Sequence, residues 1–275
     1  MAMNVRRKYT TVLTIAGSDG SGGAGIQADL KTIAASGCYG LSVITAVTAQ
    51  NTLGVVGSYQ LPAAFIREQF QALARDIPID AVKVGMLGSM EATETVAGLL
   101  KTIEGVPVVL DTVLRSTGGK PLFPADGTGA MIRQLFPVAW LITPNLPETA
   151  LLAGLDFEPS TREEIEQAAL RLQQDGARSV LVKGGHGAGG ECRDCLLHEG
   201  RYFWFAGRRI ETTNTHGTGC TLSSAIASEL ARGRGMVDAV ERGIIYTRAA
   251  IEAGACLQLG HGHGPLQHFP GWGAF

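Results

Sequence analysis

The chain has 275 residues and a formal net charge of −2; 45% of it is hydrophobic, 17% is charged, and 37 residues are glycine. Glycine at nearly double the usual share suits collagen or a disordered tract only with a G-X-Y period or low hydrophobicity, and neither is present. The charge gives no basic field for nucleic acid or a membrane surface, and no apolar run reaches the ~20 residues of a spanning helix; neither partner is expected.

Arg6, Arg7 and Lys8 precede the run Thr11–Ala16, which is too short for a signal-peptide core and is read as the first strand of a cytoplasmic protein. Helix Ala24–Ala35 follows, then strands Leu41–Thr48 and Val55–Gln60. Pro62 opens the helix Ala63–Arg75, because its fixed φ and missing N–H suit a first turn. Next come strand Ala81–Gly85, helix Met90–Thr102, strand Val106–Asp111, helix Gly127–Leu135 and strand Trp140–Thr143. Ser160 is the expected N-cap of the helix Arg162–Gln174, with carboxylates near its positive end. Strands Ser179–Lys183 and Arg201–Ala206 and helices Thr218–Arg232 and Val237–Leu257 complete the series. Near-continuous apolar strands alternating with helices imply an α/β fold with a mostly parallel sheet covered on both faces. No repeat or Pro/Ser linker interrupts residues 1–275, so one domain is expected.

Five scattered cysteines form no disulfide framework. Cys192 and Cys195 make a lone C-x-x-C, read as an incidental surface loop, and His261 and His263 are likewise not taken as a metal site. In open α/β sheets ligands sit beyond the carboxyl ends of strands, which is where most clustered glycines and several polar residues fall. Gly20, Gly22 and Gly25 match G-x-G-x-x-G, but the second strand ends in Thr48-Ala-Gln-Asn-Thr52 without the carboxylate that holds a ribose. There is no Walker A motif; the dipeptide Gly119-Lys120 is followed by Pro121.

The run Asn214-Thr-His-Gly-Thr-Gly-Cys-Thr-Leu-Ser-Ser224 leads into a long helix. Its Gly-Thr-Gly turn offers unpaired N–H groups and the positive end of the macrodipole, an anion hole, and Cys220 at the same helix start is expected to have a lowered thiol pKa. In Thr143-Pro-Asn-Leu-Pro-Glu148, Asn145 and Glu148 suit phosphate oxygens and Mg²⁺, with Asp111 as a second carboxylate. Lys183, opening Lys183-Gly-Gly-His186, adds a cation for a nucleotide phosphate. Together these make a phosphoryl-transfer constellation.

The sequence resembles the hydroxymethylpyrimidine/phosphomethylpyrimidine kinases of thiamine biosynthesis, in the ribokinase superfamily. The resemblance is carried by Thr14–Thr32, Ser42–Thr52, Lys83-Val-Gly-Met-Leu87, Thr143–Glu148, Lys183–His186, Asn214–Ser224 and the tail Gly260-His-Gly-His-Gly-Pro265. It implies a three-layer α/β/α fold without a separate lid domain, a homodimer, and ATP as co-substrate. One site would phosphorylate 4-amino-5-hydroxymethyl-2-methylpyrimidine and then its monophosphate. By resemblance the pyrimidine pocket uses Gly17, Ala24, Asp29, Gln50, Met86, Val113 and Cys220. Asp111, Asn145 and Glu148 serve Mg²⁺ and phosphates, and Lys183 serves the nucleotide. Gly217, Thr218, Gly219 and Cys220 hold the transferring phosphoryl group, with Cys220 in the place of the base. Three stretches depart from the family pattern: Asp19-Gly20-Ser21, the charges Arg115 and Lys120, and the Cys192–Cys195 segment. A pyridoxal or pyridoxine kinase on the same scaffold is the alternative within the fold, and a dinucleotide-binding oxidoreductase the alternative outside it.

Overall fold

Successive residues of a strand face opposite sides of a sheet, and in the computed structural model, which describes residues 8–115, 119–124, 127–185 and 191–271, both sides are apolar. The chain runs β1 (Thr11–Asp19), α1 (Gly25–Ala35), β2 (Tyr39–Asn51), β3 (Gly54–Gln60), α2 (Ala63–Ala74), β4 (Ala81–Val84), α3 (Met90–Leu100) and β5 (Val108–Leu110). It continues through α4 (Thr128–Leu135), β6 (Leu141–Ile142), α5 (Leu146–Leu152), α6 (Arg162–Gln174), β7 (Val180–Val182), β8 (Glu191–His198), β9 (Arg201–Arg208), α7 (Thr218–Ala231) and α8 (Met236–Gly254). The nine strands of the described residues join one sheet in the order β3-β2-β1-β4-β5-β6-β7-β8-β9. The six strands from β2 to β7 in that order are parallel, and β3, β8 and β9 are antiparallel additions at the two edges.

Leu13, Ile15, Val82, Val84, Val108, Leu110, Ile142, Val180 and Val182 point to one face, where α2 to α6 cover them. Their neighbours Val12, Ala81, Val109, Leu141 and Leu181 point to the other, beneath α1, α7 and α8. This is the expected three-layer arrangement. β1 has its sequence successor β2 on one side and β4 on the other, so the strand order reverses there and the crevice beyond its carboxyl end is a ligand position.

Several sequence expectations are corrected. The Cys192–Cys195 stretch is not a surface loop but lies in β8, which pairs along its length with β9 through a turn at Glu199 and Gly200. Both turn residues have positive φ (48° and 71°), as a two-residue hairpin turn of type I′ requires. Strand geometry sends Cys195 into the core while Cys192 is only half-buried, so the two thiols neither pair nor share a metal. Asn145 and Glu148 open a short helix, α5, that is absent from the expected series. Thr161, not Ser160, caps α6, with Glu164 completing a capping box and Ser160 donating to the same carboxylate. The start of α2 at Ala63 is as expected, with Pro62 as its N-cap. The segment of His261 and His263 packs on the β2–β3 turn, with the His263 N–H donating to the Thr52 carbonyl. His186 lies outside the described residues. No helix of the described residues is long and apolar enough to cross a membrane.

Candidate active site

The carboxyl ends of β1, β4, β5, β6 and β7 and the start of α7 surround a cleft of ≈ 670 Å³. Gly17, Ala24, Gln50, Met86 and Val113 line it, as do Asp111, Asn145, Glu148 and Lys183, and Gly217, Thr218, Gly219 and Cys220 at the start of α7. Asp29 alone of the expected site residues is not on the wall. It is fully buried behind it.

Backbone geometry shapes the Gly217–Gly219 loop, the expected anion loop. Gly217 adopts φ 85° as the N-cap of α7; the Thr218 N–H turns back to the Thr215 carbonyl, which leaves the N–H groups of Gly219 and Cys220 as the first-turn donors beside the cleft. A Cβ on Gly217 would stand 1.9 Å from the Gly23 carbonyl oxygen, so the loop after β1 and the loop before α7 touch backbone to backbone. Gly25 makes a matching contact, with φ 57° and a Cβ position 2.4 Å from the Gly17 oxygen.

Across from the anion loop, the Lys183 ammonium pairs with Asp111 at 3.0 Å. The Lys183 N–H donates to the Pro144 carbonyl, which aligns the ends of β6 and β7 and sets the cation beside α5. Burial alone would lower the Lys183 pKa, but the Asp111 and Glu148 carboxylates outweigh it and hold the ammonium above its usual range. In the capping box, the Asn145 N–H donates to Glu148 Oε2 at 3.0 Å and the Glu148 N–H donates to Asn145 Oδ1 at 2.8 Å. Burial raises the Glu148 pKa; Lys183 opposes that and Asp111 adds to it. Two neighbouring carboxylates beside an ammonium, with no third metal-ligating group among the described residues, cannot cage a metal alone. They do fit Mg²⁺, which takes one or two carboxylates and completes its shell with water and substrate phosphate.

The lowered Cys220 pKa expected from the helix start is overturned. Burial pushes the thiol up to about 11; Lys83 opposes this, while Asp29 and Asp111 reinforce it. The dipole of α7 is set against a desolvated sulfur with carboxylates nearby, and desolvation is the larger effect. Lys83 projects from the middle of β4 and pairs with Asp29 at 2.9 Å, both side chains being 0% exposed. Burial would lower the Lys83 pKa, but Asp29, with Cys220 and Asp111, keeps it above the usual lysine range. Burial raises the Asp29 pKa above the usual carboxylate range, opposed by Lys83 and by the Thr14 and Ser224 hydroxyls, which donate to it at 2.6 and 2.8 Å.

His216 was not singled out as a site residue from the sequence, yet it joins four segments. Its Nε2 lies 2.9 Å from Asp19 Oδ2 and 3.0 Å from Gln50 Nε2, and its backbone N–H donates to the Gly264 carbonyl. Since one ring nitrogen cannot donate to Asp19 and also accept from Gln50, the Gln50 amide is set by the imidazole tautomer. The signal available was an Asp and a His at two strand-end loops. Burial would raise the Asp19 pKa, but hydrogen bonds from His216, Ser21 and the Ala24 N–H pull it down to about 2. A depressed folded-state pKa stabilises the fold above the unfolded value near 3.8, and the gain disappears as pH falls toward 2. Urea titrations should therefore show about 2 kcal/mol of stability lost between about pH 4 and 2, a loss that is absent in Asp19→Asn. An equal acid loss in the variant would assign it to other carboxylates.

Residues 19–267 match the family model described as phosphomethylpyrimidine kinase. The hydroxymethylpyrimidine/phosphomethylpyrimidine kinase of Haemophilus influenzae is 44% identical over 262 residues, covering 94% of this chain and 96% of that protein. The thiamine biosynthesis bifunctional protein ThiED of Geobacter sulfurreducens is 46% identical over 258 residues, or 94% of this chain. The chain spans only 52% of that protein's length, and 35% of the multifunctional ThiED of Corynebacterium efficiens. The crystal structure of phosphomethylpyrimidine kinase from Clostridium difficile superposes with a TM-score of 0.77 at 41% identity, covering 88% of this chain and 99% of the other. An ADP complex of Bacillus subtilis pyridoxal kinase gives 0.87 at 33% identity, covering 95% and 98%.

Proposed function

The chain belongs to the phosphomethylpyrimidine kinase family, and from that premise we propose that it transfers the γ-phosphoryl group of ATP to 4-amino-5-hydroxymethyl-2-methylpyrimidine and then to its monophosphate. The observation that supports this best is the juxtaposition in one cleft of the α7 anion loop, the Lys183–Asp111 pair and a small pocket bearing Gln50. A carboxamide offers a donor and an acceptor, matching an aminopyrimidine's ring nitrogen and amino group. Gly17, Ala24, Met86 and Val113 wall that pocket and place the hydroxymethyl group toward Cys220. The N–H groups of Gly219 and Cys220 receive the transferring phosphoryl, and Lys183 with Asn145 holds the nucleotide's phosphates. Asp111 and Glu148 would hold Mg²⁺, which when bound neutralises charge building on the phosphate oxygens. Cys220 is the group beside the acceptor hydroxyl and takes its proton as the bond to phosphorus forms.

The test is direct. Purified protein, the pyrimidine alcohol and Mg-ATP should give the monophosphate and then the diphosphate, resolved by mass spectrometry or phosphorus NMR. No product above background would remove the assignment. The likeness to the Bacillus pyridoxal kinase supports a second reading, phosphorylation of pyridoxal or pyridoxine. Side-by-side kcat/KM values decide between them, since specificity is that ratio.

We further propose that the protein works as a cytoplasmic homodimer. Val47, Leu53, Val56, Tyr59 and Phe65 are exposed on and beside the β2–β3 edge, where an unpaired strand would otherwise template aggregation. Val56→Asp should convert the dimer to monomer in light scattering, with the circular dichroism of the fold retained. A monomeric unsubstituted protein would remove the proposal.

A further inference from the structure

A lysine in the middle of a buried parallel strand is costly, and a fully buried ion pair is weak evidence for stability, because desolvation offsets most of the attraction. The Lys83–Asp29 pair therefore calls for another reason, and its position supplies one. Helices α1 and α7 start side by side, with the Gly25 N–H facing the Cys220 sulfur. One turn further along each helix, Ser224 donates to Asp29 at 2.8 Å. Lys83 reaches between the two helices from β4 and pairs with both oxygens of that carboxylate. The pair therefore sits one helical turn below the level of the sulfur, in an interior where charges are poorly screened. Among the described residues Lys83 Nζ makes its hydrogen bonds to Asp29 alone, while both Lys83 and Cys220 line the same cleft.

We propose that Lys83 and Asp29 act as a charge support for Cys220, the ammonium stabilising negative charge on Sγ and the carboxylate limiting that effect. Both are positioning residues, acting on the acceptor hydroxyl only through the sulfur. The other charged groups facing the sulfur are Asp111, at the end of β5, and Lys183, at the end of β7, and these pair with each other. Asp29 and Lys83 are thus the pair beneath the sulfur, reached through α1 and β4. This also gives Asp29 a place in the site that does not require substrate contact.

The inference rests on Cys220 being the group beside the acceptor hydroxyl, and the experiment is arranged so that the two fail separately. The rate of alkylation of Cys220 by iodoacetamide is followed by peptide mass spectrometry in the full-length protein, between pH 7 and 9, without nucleotide or pyrimidine. Below the thiol pKa this rate tracks the thiolate fraction, so a vertical offset between profiles reports a shift in that pKa. Asp29→Asn, which keeps the shape of the side chain, should raise the rate about tenfold or more at every pH, and Lys83→Met should lower it by a similar factor. Exposed Cys256 should react unchanged in both, as an internal standard. Mere loosening of the fold would accelerate both variants and expose buried Cys195 as well. Equal rates in all three proteins, or shifts of the same sign, would overturn the proposal. Should Lys83→Met fail to fold, Asp29→Asn alone decides: an unchanged or slower rate rejects the charge support. Opposite shifts in a protein that phosphorylates neither alcohol would uphold it and remove the kinase reading instead.

Discussion

Cys220→Ala is expected to lower kcat by about 10²–10⁴-fold while moving the KM for ATP little, the cost typical of a lost general base. The variant removes the sulfur that the proposed reaction places beside the acceptor hydroxyl but leaves the N–H groups of α7 and the Lys183–Asp111 pair in place. With the thiol pushed up to about 11, only a small thiolate fraction exists near neutrality. Phosphoryl transfer passes through a loose transition state in which the attacking oxygen keeps its proton until late, so a scarce or weakly ionised base still serves. The sign of the pH dependence follows. If the thiolate is the active form, log kcat rises with pH with a slope near one across neutrality and levels only on approach to the thiol pKa. In Cys220→Ala that slope should vanish. A variant with unchanged kcat would reduce Cys220 to packing and leave the anion loop as the main source of rate enhancement.

The same residue shows how far local sequence carries and where it stops. That a cysteine opens a helix after Gly-Thr-Gly is visible in the sequence, and so is the dipole it meets. The burial of the sulfur, and the carboxylates of Asp29 and Asp111 brought up from distant segments, are not, and they reverse the expected shift. Lys83 is legible in the sequence. A lysine flanked by Val82 and Val84 in a strand covered on both faces must find a buried anion, and Asp29 on the inner side of α1 was available. The layered sheet and the strand-end location of the site follow from periodicity, which is why the two faces separate by alternate residues. β8 escaped because its apolar core is only Cys195-Leu196-Leu197, with Asp194 buried by accepting from the Gly184 N–H. α5 escaped because Asn145 and Glu148 carry two signals at once. A capping box and a phosphate-side turn use the same residue types, and here one pair of residues meets both descriptions. His216 has no local signature, since its role depends on loops nearly 200 residues apart meeting at one imidazole.

Gly217→Ala should be strongly damaging to both fold and activity, and its neighbour Gly219 provides the contrast that makes the result interpretable. At Gly217 the backbone holds φ 85°, where alanine costs about 1–2 kcal/mol. The added Cβ would also fall 1.9 Å from the Gly23 oxygen and 2.9 Å from its carbonyl carbon. Neither atom is the end of a flexible side chain, so the loop before α7 must move away from the loop after β1. That displacement carries the anion-binding N–H groups off their target, and a shift of about 1 Å in a positioned group is worth about 10²-fold in rate. The expected result is a fall in kcat/KM of about 10²-fold or more, together with a loss of about 2–4 kcal/mol in urea unfolding. Gly219 has ordinary helical backbone, and its Cβ would meet Asp111 Oδ2 at 3.2 Å and Lys183 Nζ at 3.3 Å, the mobile ends of an ion pair. Alanine there should leave stability unchanged or raise it by about 0.5–1 kcal/mol, since glycine is a poor helix former. It should nonetheless raise the KM for ATP by crowding the Lys183–Asp111 pair. Two glycines two residues apart are thus required for different reasons: one by the conformation of the chain, the other by the space the phosphate and its counter-charges need. If Gly217→Ala kept full activity, the backbone contact with Gly23 would not be what places the anion loop. If Gly219→Ala left the KM for ATP unchanged, the nucleotide phosphates would have to lie elsewhere in the cleft.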